Sequence, residues 1–387
     1  MFRANAAFHA DETAPATSNH IVHLVPSPDQ SDILTYHKAD VPEPSGPTMD
    51  LTATNIVIAT GAKPRPLPGN PFAGALIDST QALEVNEFPS SAVIIGAGAI
   101  ALEFASMWNA AGSKVTLLIR KDRVLSAWDR RAGTTLTREL KRHGVNIITR
   151  ASVTHVDTGA NLGATVHYTC EGQDGEQSVW GEIALVAIGR DPITDPAWGV
   201  TIDDHGHVAT DAYGRTDKPG VWAVGDVTAG HALAHRAFEQ GIVIAETIAG
   251  LNPKPVDEAT VPQIVFSFPE AASVGLTVEQ AQAREDLIEI KETNYPMLAN
   301  ARMLMSGTAG SLTIVSGCDA ANPDTPRVLG VHMVSQMASD IIAEAEQLVG
   351  NHVPLADAAR LVHPHPTFSE TLGEALLKAD GRPLHTR

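Results

Sequence analysis

The stretch that most constrains the fold runs from Ser91 to Arg123. Its apolar, β-branched beginning at Val93 to Ile95 predicts a buried parallel strand. A tight Gly96-Ala97-Gly98 turn follows, then apolar residues at helical spacing, a closing Gly112 and a second strand from Val115 to Ile119. A strand, a Gly-x-Gly turn, a helix and a strand together form the βαβ unit that places a pyrophosphate at a helix N-terminus.

The residues after the second strand bear on the choice of nucleotide. An NAD site usually carries an acidic residue there, which binds the ribose 2′-hydroxyl. This chain has Ile119 followed by Arg120, Lys121 and Arg123. Because guanidinium groups pair well with phosphate oxygens, we expect NADP(H) rather than NAD(H). The alternative is that these cations only solvate a turn.

Composition excludes several classes of protein. A length of 387 residues suggests two or three domains. The 27 Lys and Arg residues against 45 Asp and Glu leave a net charge of −18, which argues against a nucleic-acid or anionic-membrane partner. No apolar run approaches the roughly 18 residues of a spanning helix, and the N-terminus has no signal-peptide pattern. We therefore expect a cytoplasmic protein.

The two cysteines, Cys170 and Cys318, are far apart and in no C-x-x-C-like pairing. This spacing excludes a disulfide scaffold and a cysteine-rich metal site, and no metal site is predicted. Free cysteines are commonly buried, so both are expected in buried or half-buried strands.

The chain on either side of the βαβ unit shows further strand and helix patterns. Predicted strands are Ile21–Val25, Ile33–Tyr36, a buried Asn55–Thr60, Val145–Thr149, Ala164–Thr169, Ile183–Ile188, Val221–Val224, Ile264–Phe266, Ser311–Val315 and Val328–Met333. Predicted helices are Arg131–His143, Ala232–Ala249, Val278–Arg284 and Ser335–Val349. Several strands run into a glycine turn, near Gly61, Gly96, Gly189 and Gly225. From about Val261 the mixture predicts an α+β domain with an antiparallel sheet.

Six segments in order along the chain carry a family resemblance: IVIATGAKPRPLPG, VIIGAGAIALEFASMW, VAIGRDP, VWAVGDV with LAHRAFEQG, VPQIVFSFPEAASVGLT and HPHPTFSET. Together they resemble the pyridine nucleotide-disulfide oxidoreductases, which include dihydrolipoamide dehydrogenase, glutathione reductase and mercuric reductase. The second and last segments look closest to dihydrolipoamide dehydrogenase, whereas TLLIRKDRVL is closer to the NADPH-using glutathione reductase pattern.

The resemblance implies an α/β fold with two Rossmann-like nucleotide-binding domains and an α+β dimerisation domain. Residues 1–75 and 191–256 would form an incomplete FAD-binding domain, 76–190 the NAD(P)-binding domain and 257–387 the homodimer interface. The residues implied at the FAD are Ala59, Thr60, Gly61, Gly225, Asp226, Ala234 and His235. Those implied at the NAD or NADP are Gly96, Gly98, Ala101, Glu103, Arg120, Lys121, Arg123, Gly189 and Arg190.

His365 and Glu370 match the catalytic base motif of the family. Thiol–disulfide exchange needs a group of near-neutral pKa to take the thiol proton, which suits an imidazole. The resemblance implies that Glu370 fixes the tautomer of His365 and that the pair serves the active site of the other subunit. His363, the neighbouring alternative in HPHP, is interpreted as a packing or turn residue.

The chain departs from the family pattern in one respect. Neither a G-x-G-x-x-G FAD fingerprint nor a C-x-x-x-x-C pair occurs in it. We therefore interpret it as an N-terminally truncated relative of dihydrolipoamide dehydrogenase, expected to be inactive in this shortened form. The complete enzyme would act on a small-molecule or lipoyl dithiol/disulfide. The alternatives are a glutathione, mycothione or mercuric reductase-type enzyme, or a non-catalytic, dimerising, nucleotide-binding remnant.

Overall fold

A computed structural model describes residues 4–8, 20–26, 49–159 and 163–386. Its strands are β1 Ala4–Phe8, β2 His20–Pro26, β3 Met49–Ala53, β4 Ile56–Ile58, β5 Ala62–Pro64, β6 Leu76–Ile77, β7 Ser91–Ile95, β8 Lys114–Leu118, β9 Asn146–Ile148, β10 Ala151–Asp157, β11 Ala164–Cys170, β12 Gln177–Gly181, β13 Ile183–Val186, β14 Arg190–Pro192, β15 Val221–Ala223, β16 Gln263–Val265, β17 Glu270–Gly275, β18 Leu287–Pro296, β19 Ser311–Asp319 and β20 Asn322–Ser335. Its helices are α1 Ser79–Leu83, α2 Ala99–Ala110, α3 Arg130–Arg142, α4 Ala234–Ile248, α5 Val278–Gln282, α6 Ala301–Ser306, α7 Ala338–Gly350, α8 Leu355–Ala358 and α9 Glu370–Ala379. The strand predicted at Ile33–Tyr36 lies outside the described residues.

The chain divides into two compact units. The first contains the described part of Met1–Lys63 together with Arg190–Glu258, and the second contains Pro64–Gly189 together with Ala259–Arg387. Each unit is therefore formed by two separate segments of the chain, and the segments of the two units alternate along the sequence. The predicted boundaries of the four segments stay a prediction.

In the first unit, β1, β2 and β3 form an antiparallel sheet, and β4 pairs in parallel with β15. Ile58, Val221 and Val227 belong to its apolar core. The prediction of a buried strand over Asn55–Thr60 is wrong in extent: the strand is Ile56–Ile58, and Val57 is 44% exposed. Its only strand partner among the described residues is β15, so much of its surface is left uncovered.

The second unit contains a five-stranded sheet in the order β6-β13-β7-β8-β9, with parallel pairing throughout. This arrangement confirms the predicted βαβ unit of β7, α2 and β8. The buried residues of α2 include Ala101, Phe104, Ala105 and Trp108, which follow the i, i+3, i+4, i+7 spacing of one helix face. Met107, another apolar residue of this helix, lies off that face and is 41% exposed.

A three-stranded antiparallel sheet, β10-β11-β12, follows the parallel sheet in the chain. The sequence predicted only its central strand, because β11 alternates buried and less buried residues along its length. The flanking strands carry few buried residues, so they lack that alternation.

The C-terminal part of the second unit contains an antiparallel sheet in the order β16-β17-β20-β19-β18, which confirms the predicted α+β character. Helix α7 begins three residues later than predicted, because Ser335 still pairs with Glu270 of β17 and Met337 takes a φ of 63° before the helix. One apolar cluster joins α2 and the parallel sheet to Val265 and Val334 of this sheet.

Among the described residues, no helix has the length and apolar character needed to cross a membrane.

Candidate nucleotide and redox site

The turn between β7 and α2 is shaped for close approach of a ligand. Gly96 has a φ of +142°, and a Cβ there would collide with the carbonyl oxygen of Ala187. Gly98 is the N-cap residue of the 12-residue helix α2, which has no side-chain cap. Apart from Gly98 itself and its immediate neighbours in the chain and helix, no protein atom lies within 4 Å of the position that a Cβ on Gly98 would take. The protein itself therefore requires glycine at Gly96 but leaves space in front of Gly98, at the positive end of the helix dipole.

A cavity of about 700 Å³ opens at this turn, at the carboxyl end of the parallel sheet. Its lining includes Gly96, Gly98 and Gly189 together with the cations Arg120 and Lys121. Parallel α/β sheets bind ligands outside the carboxyl ends of their strands. The glycines, the uncapped helix amides and the cations therefore fit a dinucleotide with its phosphates.

Other predicted nucleotide residues lie elsewhere. The side chain of Arg123 is 16% exposed, and its Nη1 and Nη2 donate to Asp122 Oδ1 and to the carbonyl of Ser126, each at 3.1 Å. Arg123 does not line the cavity, because these contacts hold it in its own turn. Glu103 Oε1 accepts a hydrogen bond of 3.0 Å from the backbone N–H of Phe266.

Two further residues predicted at the nucleotide are Ala101, which packs in the core, and Arg190, which lies where the chain passes into the first unit. Ala101 is fully buried, and its Cβ would lie 3.4 Å from a Cβ on Gly96, so the small residue permits the turn and helix to pack closely. Arg190, the first residue of β14 in the first unit, donates to the carbonyl oxygen of Ala62.

The sequence prediction missed Arg65 as a lining residue of the cavity. Its backbone N–H donates to the carbonyl of Gly189 at 3.1 Å, which places it beside the glycine turn after β13. The available signal was a cation between Pro64 and Pro66, which follows the strand-to-glycine turn at Gly61.

In the first unit, the parallel pairing of β4 with β15 brings two predicted groups to one edge. Ala59, Thr60 and Gly61 follow β4, while Gly225 and Asp226 follow β15. Thr60 Oγ1 donates to the carbonyl of Ile193 at 2.6 Å, and the Gly225 N–H donates to Gln240 Oε1 at 3.0 Å. Gly61 and Gly225 have φ values of +70° and +77°.

Ala234 and His235 open the 15-residue helix α4, whose N-cap Leu233 makes no side-chain cap bond. Both residues are exposed, while Asp226 is half-buried. An acidic side chain and uncapped helix amides are groups that can bind the hydroxyls and the polar ring edge of a flavin nucleotide. This part of the site therefore fits FAD, although it supplies no pyrophosphate turn of the Gly96–Gly98 kind among the described residues.

His365 and Glu370 form a close pair at the start of α9. His365 Nδ1 lies 2.8 Å from Glu370 Oε1, and the other carboxylate oxygen, Oε2, accepts from the Thr367 N–H at 2.8 Å. Partial burial opposes ionisation of Glu370, but the Thr367 N–H and the His365 ring outweigh it and lower the pKa of this carboxyl. The His365 side chain is 72% exposed, so its Nε2 edge can reach a reactant.

His363 has a different environment from His365. Its side chain is 9% exposed, and its Nε2 lies 2.9 Å from Glu344 Oε1. The hydrogen bond to Glu344 raises the pKa of His363. A Cβ added at Gly373 would collide with this ring, so His363 is packed tightly against α9. These contacts support its interpretation as a packing residue.

Both cysteines are buried strand residues, as predicted: Cys170 in β11 and Cys318 in β19. Burial raises the pKa of the Cys318 thiol, which disfavours the thiolate. Neither thiol is placed for exchange with a disulfide.

Comparisons with known proteins agree with this geometry. The model of the pyridine nucleotide-disulphide oxidoreductase family matches residues 19–241, and that of the family's dimerisation domain matches residues 261–376. The dihydrolipoyl dehydrogenase of Cupriavidus necator is 38% identical over 341 residues, covering 87% of this chain and 70% of that protein. A dihydrolipoyl dehydrogenase of Bacillus subtilis is 36% identical, with the same coverage.

Two solved structures extend the likeness. LpdA from Mycobacterium tuberculosis superposes with a TM-score of 0.80 at 25% identity, over 97% of this chain and 76% of that one. The HOCl-induced flavoprotein disulfide reductase RclA from Escherichia coli superposes with a TM-score of 0.74 at 26% identity, over 85% of this chain and 74% of that one.

Proposed function

Because the chain belongs to the pyridine nucleotide-disulphide oxidoreductase family, whose members use FAD and NAD(P)H, we propose that it binds NADP(H) and FAD and serves a dihydrolipoyl dehydrogenase-type reaction. The substrate class is a small-molecule or lipoyl dithiol/disulfide. The observation that carries the proposal is the cavity at the Gly96–Gly98 turn, with Arg120 and Lys121 in its lining.

The dinucleotide would lie with its pyrophosphate at the N-terminus of α2. Backbone N–H groups of the first helical turn would donate to the phosphate oxygens, since no side chain caps this helix. Arg120 and Lys121 would bind the 2′-phosphate. Arg123 would act only by holding the turn in shape, through Asp122 and Ser126.

The FAD would be held by the groups that follow β4 and β15. Asp226 would accept hydrogen bonds from flavin-chain hydroxyls, the Ala59–Gly61 turn would allow backbone to approach the nucleotide, and the start of α4 at Ala234 and His235 would lie near the ring system. Bound FAD would carry the electron pair between nicotinamide and sulfur.

His365 would take the proton released when a dithiol is oxidised. Glu370 would hold the Nδ1–H side of the ring at 2.8 Å and leave Nε2 to accept the thiol proton. In the opposite reaction, the reduction of a disulfide, protonated Nε2 would donate its proton to the leaving thiolate. Glu370 is suited to this position because it is itself fixed by the Thr367 N–H.

We propose a cytoplasmic homodimer, with residues 257–387 as the dimerisation domain, 76–190 as the NAD(P) domain, and 1–75 with 191–256 as the FAD domain. The match of the dimerisation-domain model to residues 261–376 supports the first of these assignments.

A second candidate function is nucleotide binding without disulfide turnover. The buried positions of Cys170 and Cys318 favour it, because neither can relay electrons to a disulfide.

Addition of NADPH to the purified chain supplemented with FAD separates the candidates. Loss of the visible flavin absorbance on addition of NADPH supports the oxidoreductase function, since this step needs no cysteine. Binding of NADPH without flavin reduction supports the binding function. Absence of NADPH binding would contradict both candidate functions.

A further inference from the structure

A cluster of histidines and carboxylates lies on the β10-β11-β12 sheet, and none of its members lines the nucleotide cavity. His155 and Asp157 are two residues apart on β10, so they project from the same face of the strand. His167 of β11 pairs directly across from His155. The register of the two strands thus brings together residues that are distant in the sequence.

A β-bulge shapes this face. The pairing of β10 with β11 shifts between Val153 and His155, which leaves Thr154 as the extra residue. Thr154 Oγ1 donates a hydrogen bond of 2.6 Å to Glu176 Oε1, just before β12 begins. The bulge therefore anchors a second carboxylate beside the histidine pair.

The two imidazole rings are stacked, with centroids 4.1 Å apart and planes 7° from parallel. On one edge of the stack, the Nε2 atoms of His155 and His167 lie 3.9 Å and 3.1 Å from Asp157 Oδ2. On the opposite edge, their Nδ1 atoms lie 3.8 Å and 3.7 Å from Glu176 Oε1 and Oε2. Each edge of the histidine pair thus faces its own carboxylate.

We propose that His155, His167 and Asp157 bind a divalent transition-metal ion of the Zn²⁺ class, with Glu176 as the outer carboxylate that orients both rings. One ligand atom from each of the three residues lies within 4.8 Å of the others, so small side-chain rotations would close them on one ion. Imidazole ligands select Zn²⁺, Ni²⁺ or Cu²⁺ over Mg²⁺ and Ca²⁺, which prefer oxygen. Three protein ligands leave a position for water.

The outer carboxylate matches a recurrent feature of metal centres. A ligating histidine usually donates its second ring N–H to a carboxylate or carbonyl, which fixes the tautomer. Glu176 faces the Nδ1 atoms of both rings, and Thr154 holds it there. The site is open to solvent, since His155 is 47% and Asp157 66% exposed. The ion can therefore enter directly.

Isothermal titration of the full chain with Zn²⁺ tests this site. We expect the wild type to bind one more equivalent than His155→Gln or Asp157→Asn, and Glu176→Gln to bind that equivalent about tenfold or more weakly. Mg²⁺ should not compete for it. His207→Gln is the matched control, because His207 faces the single carboxylate of Asp203 at 3.3 Å, and it should keep the wild-type stoichiometry.

Visible absorption after addition of Co²⁺ gives an independent readout in the same variants. Ligand-field bands present in the wild type should be absent from His155→Gln and from His167→Gln. Equal Zn²⁺ stoichiometry and affinity in the wild type and these variants would show that the stacked pair is only a packing feature of the sheet. Unchanged affinity in Glu176→Gln would remove its role as outer carboxylate.

Discussion

At the scale of single residues, the two histidines of the HPHP segment differ in burial and in their carboxylate partners, and we propose a catalytic role for His365 alone. The side chain of His363 is buried against α9 and contacts Glu344. The side chain of His365 is exposed to solvent and contacts Glu370, which is itself held by the Thr367 N–H. A side chain that is exposed yet held at one atom is suited to proton transfer, while a buried one is suited to packing.

Replacement of His363 by Gln should therefore lower the free energy of unfolding by roughly 1.5–3 kcal/mol, the range for a hydrogen bond to a charged group. His365→Gln should change it by less than about 0.5 kcal/mol, as for other exposed positions. Chemical denaturation of both variants beside the wild type measures the difference.

The pH dependence of the His363 effect has a defined sign. The folded-state pKa of His363 is raised by Glu344, so the stabilisation is fully present below the unfolded pKa of about 6.5 and is lost as pH rises through the folded pKa. The free energy of unfolding of the wild type should exceed that of His363→Gln by the largest amount in mildly acidic buffer and by the smallest amount in alkaline buffer. A gap that widens towards alkaline pH would contradict this assignment.

At the scale of elements, the β7–turn–α2 unit contains one glycine that the fold requires and a second that we propose for ligand binding. Gly96 combines a left-handed φ with a backbone collision, while Gly98 faces open space.

Gly96→Ala should destabilise the protein by more than about 1 kcal/mol, because a Cβ is strained at that φ and meets Ala187. Gly98→Ala should cost about 1 kcal/mol or less, the difference between Gly and Ala at an N-cap, yet weaken NADPH binding at least tenfold. Thermal unfolding and titration of NADPH give the two readouts. Tight NADPH binding by Gly98→Ala would place the pyrophosphate elsewhere.

The sequence predicted the elements whose burial follows a simple period. Val93 to Ile95 and the buried face of α2 are examples, since apolar spacing alone determines their partners. It missed β10 and β12, whose residues are largely exposed. Arg65 is placed by a long-range backbone hydrogen bond to Gly189. The His155–His167 pair depends on strand register and on a bulge. Single-sequence periodicity reports neither.

The sequence indicated the cations near the proposed nucleotide site, but not which of them line the cavity. Arg120, Lys121 and Arg123 form one cationic cluster in the sequence. In the fold, the first two reach the cavity while Arg123 turns back to Asp122. The direction of a side chain after a strand is set by the turn that follows, and composition does not encode it.

At the scale of the whole molecule, the dimerisation-domain match coincides with exposed apolar side chains in the second unit. Examples are Phe266, Leu298, Leu304, Met305 and Val362, with exposures of 62%, 69%, 66%, 70% and 95%. A contiguous patch of exposed apolar residues is typical of a surface that is covered in an assembly, and we propose that these side chains contribute to such a surface.

Sedimentation should therefore show a dimer, and Leu304→Glu should raise its dissociation constant at least about tenfold by placing a charge in the interface. Leu251→Glu is the control, because Leu251 is 60% exposed but belongs to the first unit. A wild-type monomer would contradict the proposed homodimer.

The most direct test of the nucleotide site is calorimetric titration of NADPH and NADH into the wild type and Arg120→Glu. The wild type should bind NADPH more tightly than NADH, because Arg120 and Lys121 line the cavity and can pair with a 2′-phosphate. Arg120→Glu should reverse that order. Equal preference in both proteins would contradict the assignment of the 2′-phosphate, and no binding of either nucleotide to the wild type would contradict the site itself.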